Sequence, residues 1–249
     1  MKPSAPLAAV ILAAGKSTRM NLQPKAALPL AGRPMGQWVL EAVSATQPQK
    51  IVVVVGHQAE RVKQAFGDGC RFVLQQPQLG TAHALLTAES ALPGFSGNLL
   101  VVNADHPLLA REDLCRLTEQ HLRSGADASL LTWRRTGDCA YGRILREEKG
   151  GIVGIVEEKD ATAEELSIRE VNLSIYCFSA PLIFDILRQI RADNAQREYY
   201  LTDTVALLVK AGKKVETVQA QSRGTSFGVN TRDEFARAEA FLLRGDSLE

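Results

Sequence analysis

Leu7-Ala8-Ala9-Val10-Ile11-Leu12-Ala13-Ala14-Gly15-Lys16-Ser17-Thr18-Arg19-Met20 is the stretch on which the fold turns. Residues 7–12 form an uninterrupted apolar run that reads as a buried strand. A turn of small residues follows at once. Small side chains let main-chain N–H groups approach a ligand closely, and Lys16, Arg19 and Lys25 are near enough in sequence to address phosphates. The same composition also suits an ordinary surface turn. Two familiar phosphate loops do not fit: Val10 stands where a Walker A loop needs its first glycine, and the Gly-x-Gly-x-x-Gly spacing of dinucleotide-binding turns is missing.

Downstream the pattern alternates. Residues 34–45 carry Met35, Trp38, Val39, Ala42 and Val43 at helical spacing, with Pro34 suited to the start. Residues 51–55 are a β-branched run that fits a parallel strand covered on both faces. A helix over 58–66, a strand over 71–74, a loop over 75–81, a helix over 81–92, a strand over 98–102, a helix over 111–123 and a strand over 128–133 follow. This order predicts an α/β, Rossmann-like, mostly parallel sheet with helices on both faces, and ligands beyond the carboxyl ends of its strands. From Tyr141 the punctuation changes. Lys149-Gly150-Gly151 reads as the turn of a hairpin that would form a small substrate-facing β lobe. Residues 160–169 are polar, 170–178 read as a strand, 181–190 and 201–211 as helices, and 214–219 as a strand. Thr231-Arg232-Asp233-Glu234 matches a capping box ahead of a helix over 235–243.

The chain has 249 residues, room for one large domain or two closely packed ones. With 29 basic and 28 acidic residues its formal charge is +1, which offers no nucleic-acid or anionic-membrane surface. No run approaches the ~20 apolar residues that cross a bilayer. Met1-Lys2-Pro3-Ser4 opens no signal-peptide pattern, so a cytoplasmic protein is expected. Cys70, Cys115, Cys139 and Cys177 form no CxxC pair, which predicts unpaired, mostly buried thiols rather than disulfides or structural zinc. His57, His83, His106 and His121 show no ligand spacing, and no Gly-x-Ser-x-Gly elbow occurs.

Leu12-Ala13-Ala14-Gly15-Lys16-Ser17-Thr18-Arg19-Met20 followed by Pro24-Lys25 resembles the signature of the sugar-nucleotide pyrophosphorylases, nucleotidyltransferases with a glycosyltransferase-A-like fold. More closely, the chain resembles the N-terminal uridylyltransferase domain of bacterial bifunctional N-acetylglucosamine-1-phosphate uridylyltransferase/glucosamine-1-phosphate acetyltransferases. Gln78-Leu79-Gly80-Thr81, Tyr141-Gly142-Arg143-Ile144, residues 154–161, residues 198–203 and Gly228-Val229-Asn230 occur in that family's order, so the likeness covers about residues 7–243. It implies one nucleotidyltransferase domain over 1–249, with a nucleotide-binding part over 7–133, a sugar-phosphate-facing part over 134–230 and a closing helix over 231–243.

The activity the resemblance implies is Mg²⁺-dependent transfer of UMP from UTP to a sugar 1-phosphate, N-acetylglucosamine 1-phosphate being the first candidate, with release of pyrophosphate. Carried over residue by residue, Leu12, Ala13, Ala14 and Gly15 match the main-chain nucleotide cradle. Arg19 and Lys25 match triphosphate-binding side chains, and with Asp105 they form the implied catalytic set. Gln75, Gln78, Gly80 and Thr81 match nucleotide positions on the uracil side. Asp105 and Asn230 match the metal ligands; Asn103, Gly142, Glu157 and Asn172 match the sugar side. The chemistry is coherent, because nucleotidyl transfer needs cations and a hard metal around phosphorus rather than a protein nucleophile.

Two stretches depart from the pattern. Asn103-Ala104-Asp105 stands where close relatives have Tyr-Gly-Asp, and Asn172-Leu173-Ser174 where they have Asn-Thr-Gly. Both departures fall on the acceptor side, so another sugar, another base, or a nucleotide-binding regulator without turnover remain open alternatives. No hexapeptide repeat of the family's left-handed β-helix acetyltransferase domain occurs in these residues, so acetyl transfer is not assigned to them; that domain would be the missing C-terminal partner if the chain is a piece of a longer protein.

Overall fold

A computed structural model describes residues 5–17, 23–137, 139–245 and 248. In chain order its elements are β1 (Leu7–Ala13), a two-stranded ribbon of β2 (Pro29–Leu30) and β3 (Arg33–Pro34), α1 (Met35–Ser44), β4 (Lys50–Val55), α2 (Ala59–Phe66), β5 (Arg71–Leu74), α3 (Thr81–Ala88), β6 (Asn98–Asn103), α4 (Arg111–Ser124) and β7 (Ala128–Arg134). The hairpin β8 (Arg143–Arg146) and β9 (Ile152–Val156) follows, then α5 (Ala163–Leu166), β10 (Glu170–Ser179), α6 (Ala180–Leu187), α7 (Asp203–Lys210), β11 (Val215–Gln219) and α8 (Arg232–Arg244). No described helix is long and apolar enough to cross a membrane.

The described strands other than the ribbon form one sheet with the path β11-β7-β10-β6-β1-β4-β5. β1 pairs in parallel with β4 on one side and β6 on the other. The chain therefore winds outward through β4 and β5, then crosses back to β6, which opens a crevice at the carboxyl ends of β1 and β6. β10 is antiparallel to both β6 and β7, and β11 returns the edge to parallel pairing with β7. The sheet is thus mostly parallel, as the β-branched runs predict.

Period-two alternation explains why these strands are apolar throughout. Ala8, Val10 and Leu12 pack with Val52, Val54, Leu99 and Val101 on the face covered by α3, α6 and α7. Ala9 and Ile11 pack with Val53, Val55, Leu100 and Val102 on the opposite face, against α1, α2 and α4. Every one of these side chains is buried, so both pleat faces need apolar residues. A third cluster, with Leu30, Met35, Val229 and Ala238, fastens α8 over the β2–β3 ribbon.

Several local expectations change. The hairpin of the expected β lobe is continuous with the main sheet, since Arg143 of β8 pairs with Val171 of β10. The polar stretch 160–169 contains α5, held by a capping box between Thr162 and Glu165. Of the four cysteines only Cys177 is buried; the other three are half-buried, and all are free thiols. The capping box at Thr231 and Glu234 is present, and α8 begins three residues earlier than its apolar positions indicate.

His121 shows how burial converts sequence into pH dependence. It lies on the inner face of α4, is 2 % exposed, and its Nδ1 is 2.9 Å from Ser129 Oγ on β7. Burial lowers its pKa from 6.5 to about 4, with Asp127 pulling weakly the other way. The unfolded chain therefore takes up a proton below pH 6.5 that the native state refuses until about pH 4, and stability falls across that window. His121→Gln is expected to flatten the decline of the melting temperature between those two pH values; an unchanged slope would show that His121 does not carry it.

Candidate active site

A cleft of about 420 Å³ opens at the carboxyl edge of the sheet. Its lining gathers Leu12 and Ala13 at the end of β1 with Ala14 and Gly15 beyond it, Lys25, Gln75 and Gln78 after β5, Gly80 and Thr81 at the start of α3, Asn103 at the end of β6 with Asp105 beyond it, and Asn230. The expected nucleotide and metal positions among the described residues therefore meet in one cavity. Arg19 lies outside the described residues.

Two glycines make the cleft possible. Gly80 has φ +115°, and a Cβ there would lie 2.6 Å from Tyr199 O. This close approach lets residues 199–201 bond to 79–82, with Ala82 N donating to Tyr199 O at 2.9 Å and Leu201 N to Thr81 Oγ1 at 2.9 Å. Gly56, unmarked by the sequence reading, is equally constrained: a Cβ would meet Gln78 Nε2 at 2.5 Å and Ala14 O at 2.6 Å. Its absence lets Gln78 donate to the Ala14 carbonyl.

At the cleft mouth the Lys25 ammonium lies 2.7 Å from Asp105 Oδ2, 3.0 Å from Asn230 Oδ1 and 2.9 Å from Val229 O. Burial alone would raise the Asp105 pKa, but Lys25, His106 and local hydrogen bonds outweigh it and hold the carboxyl below its ordinary value. Asp105 is thus an anion at neutral pH. His106 is 3 % exposed; burial lowers its pKa, so the neutral ring donates from Nδ1 to Thr225 O across 3.2 Å.

Residues 221–230 carry Asn230 to Asp105, and their anchor is a carboxylate that the motifs do not reveal. Asp113, 1 % exposed on α4, accepts from Gln221 N at 2.9 Å, Ser222 N at 3.1 Å and Thr225 Oγ1 at 2.6 Å, and also pairs with Arg116. Tyr141 adds a second tether: its hydroxyl donates to Ser226 O at 3.0 Å and accepts from Gly228 N at 3.0 Å. Asp113 sits in the first turn of α4, where a carboxylate invites reading as a helix-dipole partner; only the long-range contacts reveal the anchor.

On the acceptor side, Gly142 and Asn172 are hydrogen-bonded neighbours, and a Cβ on Gly142 would lie 3.4 Å from Glu157 Oε2. Burial raises the Glu157 pKa, opposed by a 3.0 Å bond from Thr202 Oγ1. These three residues lie outside the lining of the nucleotide cleft, whereas Asn103 is part of it; Glu157 lines a separate cavity of about 990 Å³. Asn172 is 1 % exposed and its amide is occupied by Ser174 and Tyr176. Leu173 points into the core, and Ser174 adopts φ +56° at an irregularity of β10. That left-handed conformation is why a glycine suits the position.

Residues 9–204 match the MobA-like NTP transferase domain, and the chain belongs to that family. Among curated proteins it is 45 % identical over 239 residues to the bifunctional protein GlmU of Pelotomaculum thermopropionicum and 47 % identical over 240 residues to that of Syntrophotalea carbinolica. Each alignment covers 96 % of this chain and 52 % of the relative, so the chain spans about half the length of the curated relatives it matches. A crystal structure of UDP-glucose pyrophosphorylase complexed with UDP-glucose shares the fold, with a TM-score of 0.77 at 19 % identity over 97 % of this chain and 100 % of that one.

The Asp113 anchor is testable by stability alone. Asp113→Ala strands three donors and leaves the half-buried Arg116 guanidinium without its carboxylate, and losing the buried partner of such a network costs about 3 kcal/mol. Urea denaturation is expected to show a loss of that size; wild-type stability would mean that residues 221–230 are held by other contacts.

Proposed function

We propose that this chain transfers a nucleotidyl group from a nucleoside triphosphate to a sugar 1-phosphate, with UTP and N-acetylglucosamine 1-phosphate as the first pair to test. In the reaction a sugar-phosphate oxygen attacks the α-phosphorus of UTP and pyrophosphate leaves, giving UDP-sugar. The observation that carries this reading is the Lys25 ammonium gripped by Asp105 and Asn230 at the mouth of a cleft lined by the small residues 13–15. We take residues 1–249 as one functional unit acting in the cytoplasm, a setting in which four free thiols are at home.

Main-chain N–H groups after β1 offer donors to phosphate oxygens, and Gln75 and Gln78 lie where a base would enter. Lys25 supplies positive charge where negative charge develops on the transferring phosphoryl group. Asp105 and Asn230 fit a hard dication: an anionic and a neutral oxygen already converge on one cation. Among the described residues no group of three or more His, Cys, Asp or Glu converges to hold a metal, so the protein donors here are the Asp105 and Asn230 oxygens. That donor set suits Mg²⁺, which keeps waters and substrate phosphates in its shell. When bound, Mg²⁺ would neutralise phosphate charge and orient the triphosphate. Lys25 sits against the oxygens that would hold the metal, and its ammonium would add positive charge beside the phosphates.

The acceptor is read by Glu157 and Gly142 in this proposal, with Asn172 bracing β10 behind them. Of the two departures from the family pattern, only Asn103 lines the cleft.

A pyrophosphate-release screen of nucleoside triphosphates against sugar 1-phosphates, with and without Mg²⁺, tests the activity; binding without turnover for every pair would favour a regulatory protein. Lys25→Ala is expected to lower kcat on the order of 10²-fold or more. A rise in KM with unchanged kcat would instead assign it to uniform binding. Asp105→Asn should cut the Mg²⁺-dependent rate severely while leaving the chain folded.

Sugar choice gives a separate test. With Asn103 in place of an aromatic, the preference for N-acetylglucosamine 1-phosphate over glucose 1-phosphate in kcat/KM is expected to stay below about 10³. Asn103→Tyr should raise it, and equal effects on both sugars would remove Asn103 from acetamido recognition.

A further inference from the structure

Two glutamines line the cleft, and each donates an amide hydrogen to a carbonyl oxygen of the chain. Gln78 donates to Ala14 O. Gln75, only 4 % exposed, goes further: its Nε2 lies 3.0 Å from Gly80 O and 3.0 Å from His83 Nδ1. A backbone carbonyl can only accept, so Gly80 dictates which end of the amide faces it. The same nitrogen must then donate to His83, whose Nδ1 is the acceptor and whose proton resides on Nε2. Both amide hydrogens of Gln75 are thereby spent. Among the described residues Oε1 has no partner and is not sealed from the cleft, which leaves Gln75 an acceptor and nothing else.

We propose that His83 is a positioning residue for base selection: by taking the second amide hydrogen of Gln75, it obliges the cleft to meet the nucleobase with a carbonyl oxygen. A base with a ring N–H at its pairing edge, of the uracil or thymine class, satisfies that oxygen. Cytosine presents an unprotonated ring nitrogen there, and two acceptors facing each other leave both unpaired. The inference rests on the nucleotidyl-transfer reading of the same cleft. His83 is the third residue of α3, in the same first turn as Thr81 and just past the N-cap Gly80, so the residues that begin the helix and the one that orients the glutamine share one turn.

The test replaces His83 by Phe, which keeps a ring of similar shape and removes the acceptor. One hydrogen bond of about 1.4 kcal/mol corresponds to a tenfold ratio. In His83→Phe the UTP-to-CTP ratio of kcat/KM is therefore expected to fall about tenfold, through KM, while kcat with saturating UTP holds. His83→Gln, whose carbonyl can accept from Gln75, should restore the ratio. A ratio unchanged in His83→Phe, or a loss shared equally by both nucleotides and not rescued by His83→Gln, would overturn the proposal and leave His83 a packing residue. Should the Phe variant not fold, His83→Leu takes its place with the same criteria. Calorimetric binding of UTP and CTP, without sugar phosphate, separates the two readings. If the wild type turns over no triphosphate, the activity proposal fails, but a narrowed UTP-to-CTP affinity ratio in the variant still supports the role of His83, and an unchanged one refutes it.

Discussion

The ammonium of Lys25 is held by oxygens that the chain delivers from separations of 80, 204 and 205 positions. Three segments must close on it: the turn after the small-residue loop, the end of β6, and the 228–230 strip. Each would present uncompensated polarity alone, an anionic Asp105 above all, and together they neutralise one another at the edge of the sheet. The same arrangement places positive charge, hard oxygens and main-chain donors within one cleft, which is the inventory that phosphoryl chemistry asks of a protein.

Around that contact the fold works by rigidity. The central strands are buried on both faces, so β1 and β6 end at fixed places and deliver Gly15 and Asp105 to the cleft. The 221–230 segment has no such strand beneath it. It depends on Asp113, a single carboxylate reaching from α4, and on the Tyr141 hydroxyl reaching from the base of the hairpin. Tyr141 therefore ties the hairpin beside the acceptor side to the loop beside the cleft, two regions that the nucleotide and sugar phosphate would occupy in the proposed reaction.

The two glutamines illustrate a different kind of control. Their positions on the cleft wall leave either end of each amide in principle free to face a base; the Ala14 carbonyl decides for Gln78, and the Gly80 carbonyl together with His83 for Gln75. Selectivity of this sort costs no additional charge and little volume, since it uses carbonyls that need donors in any case. It is also invisible to a motif, because glutamine is the same residue whichever way its amide points.

Residues 7–12, 51–55 and 98–102 declared their strands, because runs of buried β-branched and aliphatic residues have few alternatives, and the capping box at Thr231 declared the start of α8 for an equally local reason. Order and type of elements, and with them the mostly parallel sheet and its ligand edge, were within reach of the sequence by itself. The antiparallel insertion of β10 was not, since strand pairing depends on partners rather than on composition. Nor were the anchor at Asp113, the obligate smallness of Gly56, the left-handed turn at Ser174 or the acceptor-only state of Gln75. Each is set by a contact between segments far apart in the chain, and a one-dimensional period of two or 3.6 residues carries no term for such contacts.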